Sequence, residues 1–231
     1  MLNLQRKKIG IVLILILMSA YASAQEHNPL YDNKAVRFGF NISGISAKVK
    51  FTTSESFKLS DTLQRINSVS FPGLGLGGLA NFRLAENLDL RAMINIQLVQ
   101  RNLDYYFKGD QVVTAKMEST YAEFPLLLKY KSKRHKNWRL YGIAGMSYRY
   151  DFISQIEVDR SNTKPVVALY PNTFSYDIGF GFDFYATFSK ISPEIRLTNA
   201  IGNHMASDDF IFSSSIERLA PRLLQFSIVF N

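Results

Sequence analysis

From Phe174 to Tyr185 the chain reads Phe-Ser-Tyr-Asp-Ile-Gly-Phe-Gly-Phe-Asp-Phe-Tyr. Phe174, Tyr176, Ile178, Phe180, Phe182 and Phe184 share one parity; Ser175, Asp177, Gly179, Gly181 and Asp183 share the other. In a β-strand successive side chains point to opposite faces, so this stretch has one apolar, aromatic face and one small, acidic face. A helix, at about 100° per residue, would mix the two sets. A strand of about ten residues with this pattern is what a membrane-spanning β-barrel requires.

Seven further segments alternate in the same way. Val36–Ser43 sets Val36, Phe38, Phe40 and Ile42 against Arg37 and Asn41, and Leu74–Leu84 carries Arg83 on its polar parity. Leu88–Val99, extending toward Phe107, places Asp89 and Arg91 opposite Leu88, Leu90 and Ile94. Glu118–Lys131 opposes Glu123, Lys129 and Lys131 to Phe124, Leu126, Leu128 and Tyr130. Trp138–Phe152 opposes Arg139, Arg149 and Asp151 to Leu140, Met146, Tyr148 and Tyr150. Ile191–Thr198 carries Glu194 and Arg196, and Leu224–Phe230 carries Gln225 and Ser227. Counted with Phe174–Tyr185, these make eight strands, the smallest common outer-membrane barrel. The connections at Ala85–Asn87, Arg134–Asn137 and Phe188–Lys190 are tight, and the one at Lys108–Asp110 is short between long strands. Those over Ala47–Gly73, Ile153–Thr173 and Ile201–Ala220 are long. Short turns alternating with long loops are the mark of such barrels, the turns lying in the periplasm, and this puts both termini there.

A soluble barrel would show the same period with its apolar face inward. Three features choose lipid. The polar faces mix both charge signs with small residues, as a narrow lumen requires. The aromatics Tyr130, Trp138, Tyr148, Tyr150, Phe174 and Tyr176 gather toward segment ends, as interfacial girdles do. The chain ends in Phe-Ser-Ile-Val-Phe-Asn, similar to the C-terminal assembly signal of bacterial outer-membrane barrels.

The N-terminus fits export. Arg6, Lys7 and Lys8 precede the apolar run Ile9–Met18, and Ala22-Ser23-Ala24 supplies small residues for signal peptidase. The organisation expected is a signal peptide over 1–24, a periplasmic N-terminal segment over 25–35 and an all-β, eight-stranded antiparallel up-and-down transmembrane barrel over 36–231. The leader's three basic residues account for part of the formal charge of +8, leaving +5 for residues 25–231. So small a charge, spread along the chain, excludes a nucleic-acid footprint. Absent cysteine excludes disulfides.

No catalytic, cofactor or metal constellation emerges. Gly73-Leu74-Gly75-Leu76-Gly77-Gly78 matches a dinucleotide fingerprint in letters, but it lies inside an alternating strand and not at a strand-to-helix turn. Its glycines are expected to relieve crowding or permit a bend. His27, His135 and His204 have no serine or ligand partner at a catalytic spacing. The acids Glu123, Asp177, Asp183 and Glu194 are expected to pair in the lumen with Arg37, Arg83, Arg91, Arg139, Arg149 and Arg196, each exchange costing only modest stability. Lys129, Lys131, Lys133, Arg134 and Lys136 form a dense basic run with His135 and Arg139. It either docks an acidic partner or anionic headgroups, or is a solvated turn with snorkelling lysines. No cofactor and no small-molecule substrate are expected.

Glu118-Ser119-Thr120-Tyr121-Ala122-Glu123-Phe124-Pro125-Leu126-Leu127-Leu128-Lys129-Tyr130, Tyr141-Gly142-Ile143-Ala144-Gly145 and Tyr148-Arg149-Tyr150-Asp151 resemble the PorT family of Bacteroidetes. Tyr31-Asp32-Asn33-Lys34, Gln100-Arg101-Asn102-Leu103 and Ile178-Gly179-Phe180-Gly181-Phe182-Asp183-Phe184-Tyr185 fit the same family, as does Ser192-Pro193-Glu194. The similarity runs from about Tyr31 to the C-terminus. It implies a non-enzymatic outer-membrane barrel needed for type IX protein secretion, and for gliding motility where that occurs. The implied partners are outer-membrane lipid and other components of that secretion system. A generic porin-like barrel and a lipid-modifying barrel enzyme are the competing readings.

Overall fold

The computed structural model describes residues 31–55, 57, 62–109, 111–154, 169–205 and 214–231. The signal peptide expected over 1–24 and the segment 25–30 lie outside them. A single 3₁₀ turn, Tyr31–Asn33, precedes eight strands: β1 Val36–Thr53, β2 Leu63–Ala85, β3 Leu88–Phe107, β4 Val112–Lys131, β5 Trp138–Asp151, β6 Asn172–Tyr185, β7 Lys190–Ala200 and β8 Ile216–Phe230. Each strand pairs antiparallel with the next, and β8 closes on β1 through Phe40↔Phe230 to Thr53↔Ile216. Closure removes both sheet edges, which an open sheet in hydrocarbon could not leave unpaired.

The burial alternation settles which face is outside. Across the band from Leu88 to Leu98 on β3, Ile94, Ile96 and Leu98 are exposed while Asp89, Arg91, Asn95 and Gln97 are buried. On β6 every apolar residue from Phe174 to Phe184 is exposed and both aspartates are buried. Such a continuous apolar outer surface belongs in lipid. Leu88 to Leu98 advances roughly 33 Å along the strand, about 25 Å along the membrane normal at a tilt near 40°, the height of the apolar band of outer-membrane barrels. Aromatics rim it. Tyr130, Trp138 and Phe184 stand at the short-turn end, and Phe124, Tyr148 and Phe174 form a row across β4, β5 and β6, the first pair stacked at 6.3 Å and the second tilted at 5.2 Å between ring centroids.

The strands outrun the sequence-based segments. β1 continues to Thr53, β2 begins at Leu63 and β8 begins at Ile216, so much of the ranges expected as loops, Ala47–Gly73 and Ile201–Ala220, is sheet. The reason is an inversion of the alternation. Beyond Leu98 the outward residues of β3 become Gln100, Asn102 and Asp104, while Leu103 and Tyr105 turn inward. β4 does the same with Glu118 and Lys116 outside and Met117 and Ala115 inside. Above the lipid the sheet faces water, and its inner face packs an apolar core of Val49, Leu63, Ile66, Leu103, Tyr105, Met117 and Leu219. The connecting segments contribute Leu169 and Met205, which form a bridge, so this core closes the long-loop end.

β2 accommodates the inversion with a bulge. Ser70 pairs with Arg101 but Leu74 with Leu98, a slip of one residue at Phe71-Pro72-Gly73, where proline is tolerated because the ladder is already broken. The glycine-rich run is therefore strand, as its alternation implies. A side chain on Gly77 would collide with Asn95, which occupies the lumen across from it. Both described ends, at Tyr31 and Asn231, lie at the short-turn end, where Asn231 and Lys190 exchange backbone hydrogen bonds of 2.9 Å.

Phe180, exposed at 52 % between Gly142 and Ile195, stands mid-band. Phe180→Arg should cost about 2–4 kcal/mol near the bilayer midplane, read by reversible urea unfolding in lipid vesicles. Full tolerance of the arginine would mean that this face does not meet lipid.

Candidate functional site

The lumen holds the chemistry of the chain, in tiers stacked along the barrel axis. The mouth at the short-turn end is plugged by the 3₁₀ turn. Tyr31 is buried there, edge-on to Tyr185 at 6.0 Å, and burial pushes its hydroxyl pKa up to about 12. Asp32 accepts from Arg37 Nη1 at 3.3 Å, from Tyr185 Oη at 2.9 Å and from Arg139 Nη2. Arg37 also reaches Asp89 at 2.7 Å, and Asp89 takes the Lys131 ammonium at 2.6 Å.

One tier in, Asp183 accepts from Lys129 Nζ at 2.8 and 3.0 Å and from Ser192 Oγ at 2.6 Å, with Arg139 Nε and Lys190 Nζ each at 3.5 Å. Lys129 also sits 3.5 Å from the centroid of the Tyr141 ring, a cation–π contact that supports a dehydrated ammonium. Glu194 follows, bound by Arg91 Nη1 at 2.6 Å and Tyr141 Oη at 2.8 Å. Gly181 makes room for that ring: a Cβ there would lie 2.5 Å from the Tyr141 hydroxyl. Deeper still, Glu123 Oε2 accepts from Asn95, Gln97 and Arg196 at 2.8, 2.7 and 2.8 Å. Arg196 also bonds Gln225 at 2.7 Å and stands 3.6 Å from Asp177. The last charged tier contains Arg101 and Arg149, each beside the Tyr121 ring and bonded to Ser119 and Ser175 respectively, and above it begins the apolar core.

Of the ten residues expected in the lumen network, Arg37, Arg91, Glu123, Arg139, Arg149, Asp177, Asp183, Glu194 and Arg196 are buried there. Arg83 is not. It sits at the rim with its guanidinium 3.3 Å from Asn33 Oδ1, because β2 ends two residues later and the plug already fills the mouth. Arg149 lies in the lumen without the expected carboxylate partner among the described residues. The basic run divides in two. Lys129 and Lys131 are wholly buried and ion-paired, so they are lumen groups and not a docking surface: they share the inward parity of Glu123. Arg134 lies over the Tyr185 ring at 3.8 Å and bonds the Lys136 carbonyl at 2.6 Å, so it braces the mouth. Lys133 and Lys136 project from the turn, Lys136 with φ 52°. The sequence reading missed Asp32, Asp89, Arg101 and Lys190 as network members. Parity alone placed Asp89 inward; Asp32 and Lys190 lie at the ends of segments, where alternation carries no signal.

Among the described residues no group of three or more histidine, cysteine, aspartate or glutamate side chains forms a metal cluster. A lipid-facing closed ring of eight strands around a salt-bridged interior defines a small outer-membrane β-barrel. The chain belongs to the outer membrane protein beta-barrel domain family, whose model matches residues 23–205. No curated protein matches the sequence. Among solved structures the fold is similar to the outer membrane protein OprG from Pseudomonas aeruginosa, at 15% identity and TM-score 0.44, covering 83% of this chain and 91% of that one. It is also similar to Neisserial surface protein A, at 10% identity and TM-score 0.44, covering 85% of this chain and 98% of that one. The outer membrane protease OmpT from Escherichia coli matches at 11% identity and TM-score 0.46, covering 84% of this chain and 95% of that one.

Because Asp183 balances Lys129, Arg139 and Lys190 together, its loss is not the modest change expected from a single exchange. Asp183→Asn should destabilise by about 3–5 kcal/mol, the cost of stranding buried charge, whereas Glu86→Gln in the exposed turn should stay within about 0.5 kcal/mol. Urea midpoints of the two variants in vesicles test the difference; equal midpoints would show that water already solvates the tier.

Proposed function

We propose that this protein is a non-enzymatic outer-membrane component of type IX protein secretion, and of gliding motility in organisms that glide, acting through its surfaces and not through its lumen. The reading rests on the sequence resemblance to the PorT family. The observation that favours a surface role is the filled interior: the 3₁₀ plug, the tiers of ion pairs and the apolar core follow one another along the axis, leaving no course for a folded cargo. In this reading residues 1–24 are a cleaved signal peptide and the short-turn end faces the periplasm. Lys133 and Lys136 then stand where periplasmic partners arrive, their charge felt within a Debye length of about 8–10 Å.

Deleting the gene should trap proteins bearing the type IX C-terminal signal inside the cell envelope, with other outer-membrane proteins assembled normally. Unimpaired secretion in the deletion strain would leave a generic barrel role. A finer variant, Lys133→Glu with Lys136→Glu, spares Arg134 and hence the mouth. It should leave barrel abundance unchanged and lower secreted cargo severalfold, with partner association weakened most at low salt. Normal cargo release at normal abundance removes the turn from the mechanism without touching the family reading.

A further inference from the structure

The buried charges of the described residues do not balance. Among the described residues nine cations are buried: Arg37, Arg91, Arg101, Lys129, Lys131, Arg139, Arg149, Lys190 and Arg196. Against them stand six buried carboxylates, joined by the part-buried Asp32 at the mouth, an excess of two positive charges. The excess is not spread evenly. Seven of the cations have a carboxylate partner. Arg101 and Arg149, both at 0 % exposure, have none among the described residues, and each meets only a serine hydroxyl.

Both reach the same aromatic ring. Their guanidinium carbons are 5.5 and 5.2 Å from the same Tyr121 ring centroid. Nε and Nη1 of both side chains are buried without a hydrogen-bond acceptor. The nearby acids make their hydrogen bonds to other groups, with Glu123 Oε1 and Asp177 Oδ2 left unpartnered and neither within ion-pair distance of Arg149. Glu123 holds Arg196, Asn95 and Gln97; Asp177 holds Arg196 and Thr198; and Asp151 accepts from the Thr120 and Ile153 amides. His204, buried beside this tier, does not relieve it: burial, and then the fields of Arg149 and Arg101, hold its pKa below the ordinary value, leaving a neutral imidazole at pH 7. A buried charge without a partner costs several kcal/mol, and two of the same sign in one tier add mutual repulsion.

We propose that the lumen binds a small inorganic oxyanion of the phosphate or sulfate class between Arg101 and Arg149, next to Tyr121. A doubly charged oxyanion cancels the excess of two, and its oxygens match the fork geometry of guanidinium donors. Because both arginines are wholly buried, the ion enters as the barrel closes. It is then a structural ion that completes the charge balance of the deepest tier.

The test uses the full barrel refolded into detergent micelles at pH 7 in sodium gluconate, with sulfate or phosphate added before refolding at constant ionic strength. The thermal midpoint should rise saturably by about 4 °C or more, as for a ligand that binds only the folded state. In Arg149→Gln and in Arg101→Gln the saturable part should vanish, leaving the small linear rise that sulfate gives any protein. Lys133→Gln at the turn should respond like the parent. A direct measurement covers the case in which a variant fails to fold. In crystals of the unaltered protein grown with selenate, anomalous scattering should place selenium within hydrogen-bonding reach of both guanidinium groups. Midpoints that do not respond to the oxyanion, a saturable response retained in both variants, or selenate found at neither arginine would overturn the proposal. The first of these results is what a carboxylate from elsewhere in the chain, filling the site, would produce.

Discussion

Asp183 is the interaction on which the interior depends. It lies wholly buried with the ammonium groups of Lys129 and Lys190 and the guanidinium of Arg139 around it. A closed ring of eight strands is just wide enough for its side chains to fill. Once one face of every strand is given to lipid, the other must place all its polar groups within that narrow bore. Charges brought so close are tolerable only as opposed, hydrogen-bonded sets. The tiers around Asp183, Glu194 and Glu123 are the solution, and each carboxylate collects more than one donor, charged or neutral.

The excess of cations is a property of strand parity and not of composition. Lys129 and Lys131 belong by sequence to a basic run that continues through Lys133, Arg134 and Lys136, and as a run it looks like a surface feature. The two-residue period divides it. Residues in phase with Glu123 point inward, lose their water and become lumen counter-ions, while those past the end of β4 stay on the turn. A local cluster in sequence thus divides between two environments whose dielectric differs severalfold.

The band of the barrel that crosses lipid was legible because there the environment on each face is constant: hydrocarbon outside, fixed charge inside. Phe174–Tyr185 and Trp138–Asp151 were readable nearly end to end for that reason. What was not legible lies above the band, where water replaces lipid and Leu103, Tyr105 and Met117 replace arginine and glutamate inside. Neither half of the pattern is weak, but the two have opposite phase, and a bulge at Phe71-Pro72-Gly73 shifts β2 by a residue between them. A reading that follows one phase takes the crossing point for a strand end. The site was legible to the extent that it rests on parity, as with Arg91, Glu123, Asp183, Glu194 and Arg196. It was not legible where a residue enters from outside a strand. Asp32 reaches the mouth from the 3₁₀ turn, and only the folded chain brings it to Arg37, Arg139 and Tyr185.

The same inversion explains why the barrel is closed at both ends by different means. At the short-turn end the lumen is charged, and the segment that plugs it must bring a charge: Asp32 bonds Arg37 and Arg139, while Tyr31 and Tyr185 seal the gap between them. At the long-loop end the inner face is apolar, and the segments that cover it bring Leu169 and Met205. An apolar plug at the first end would strand the arginines, and a charged one at the second would be desolvated against leucine. Each end can therefore be opened only by something that replaces its own kind of contact. A partner at the mouth must offer an acid to Arg37 and Arg139, whereas one at the far end must offer apolar surface. With its interior committed to its own charges, the barrel presents two rims that differ in chemistry.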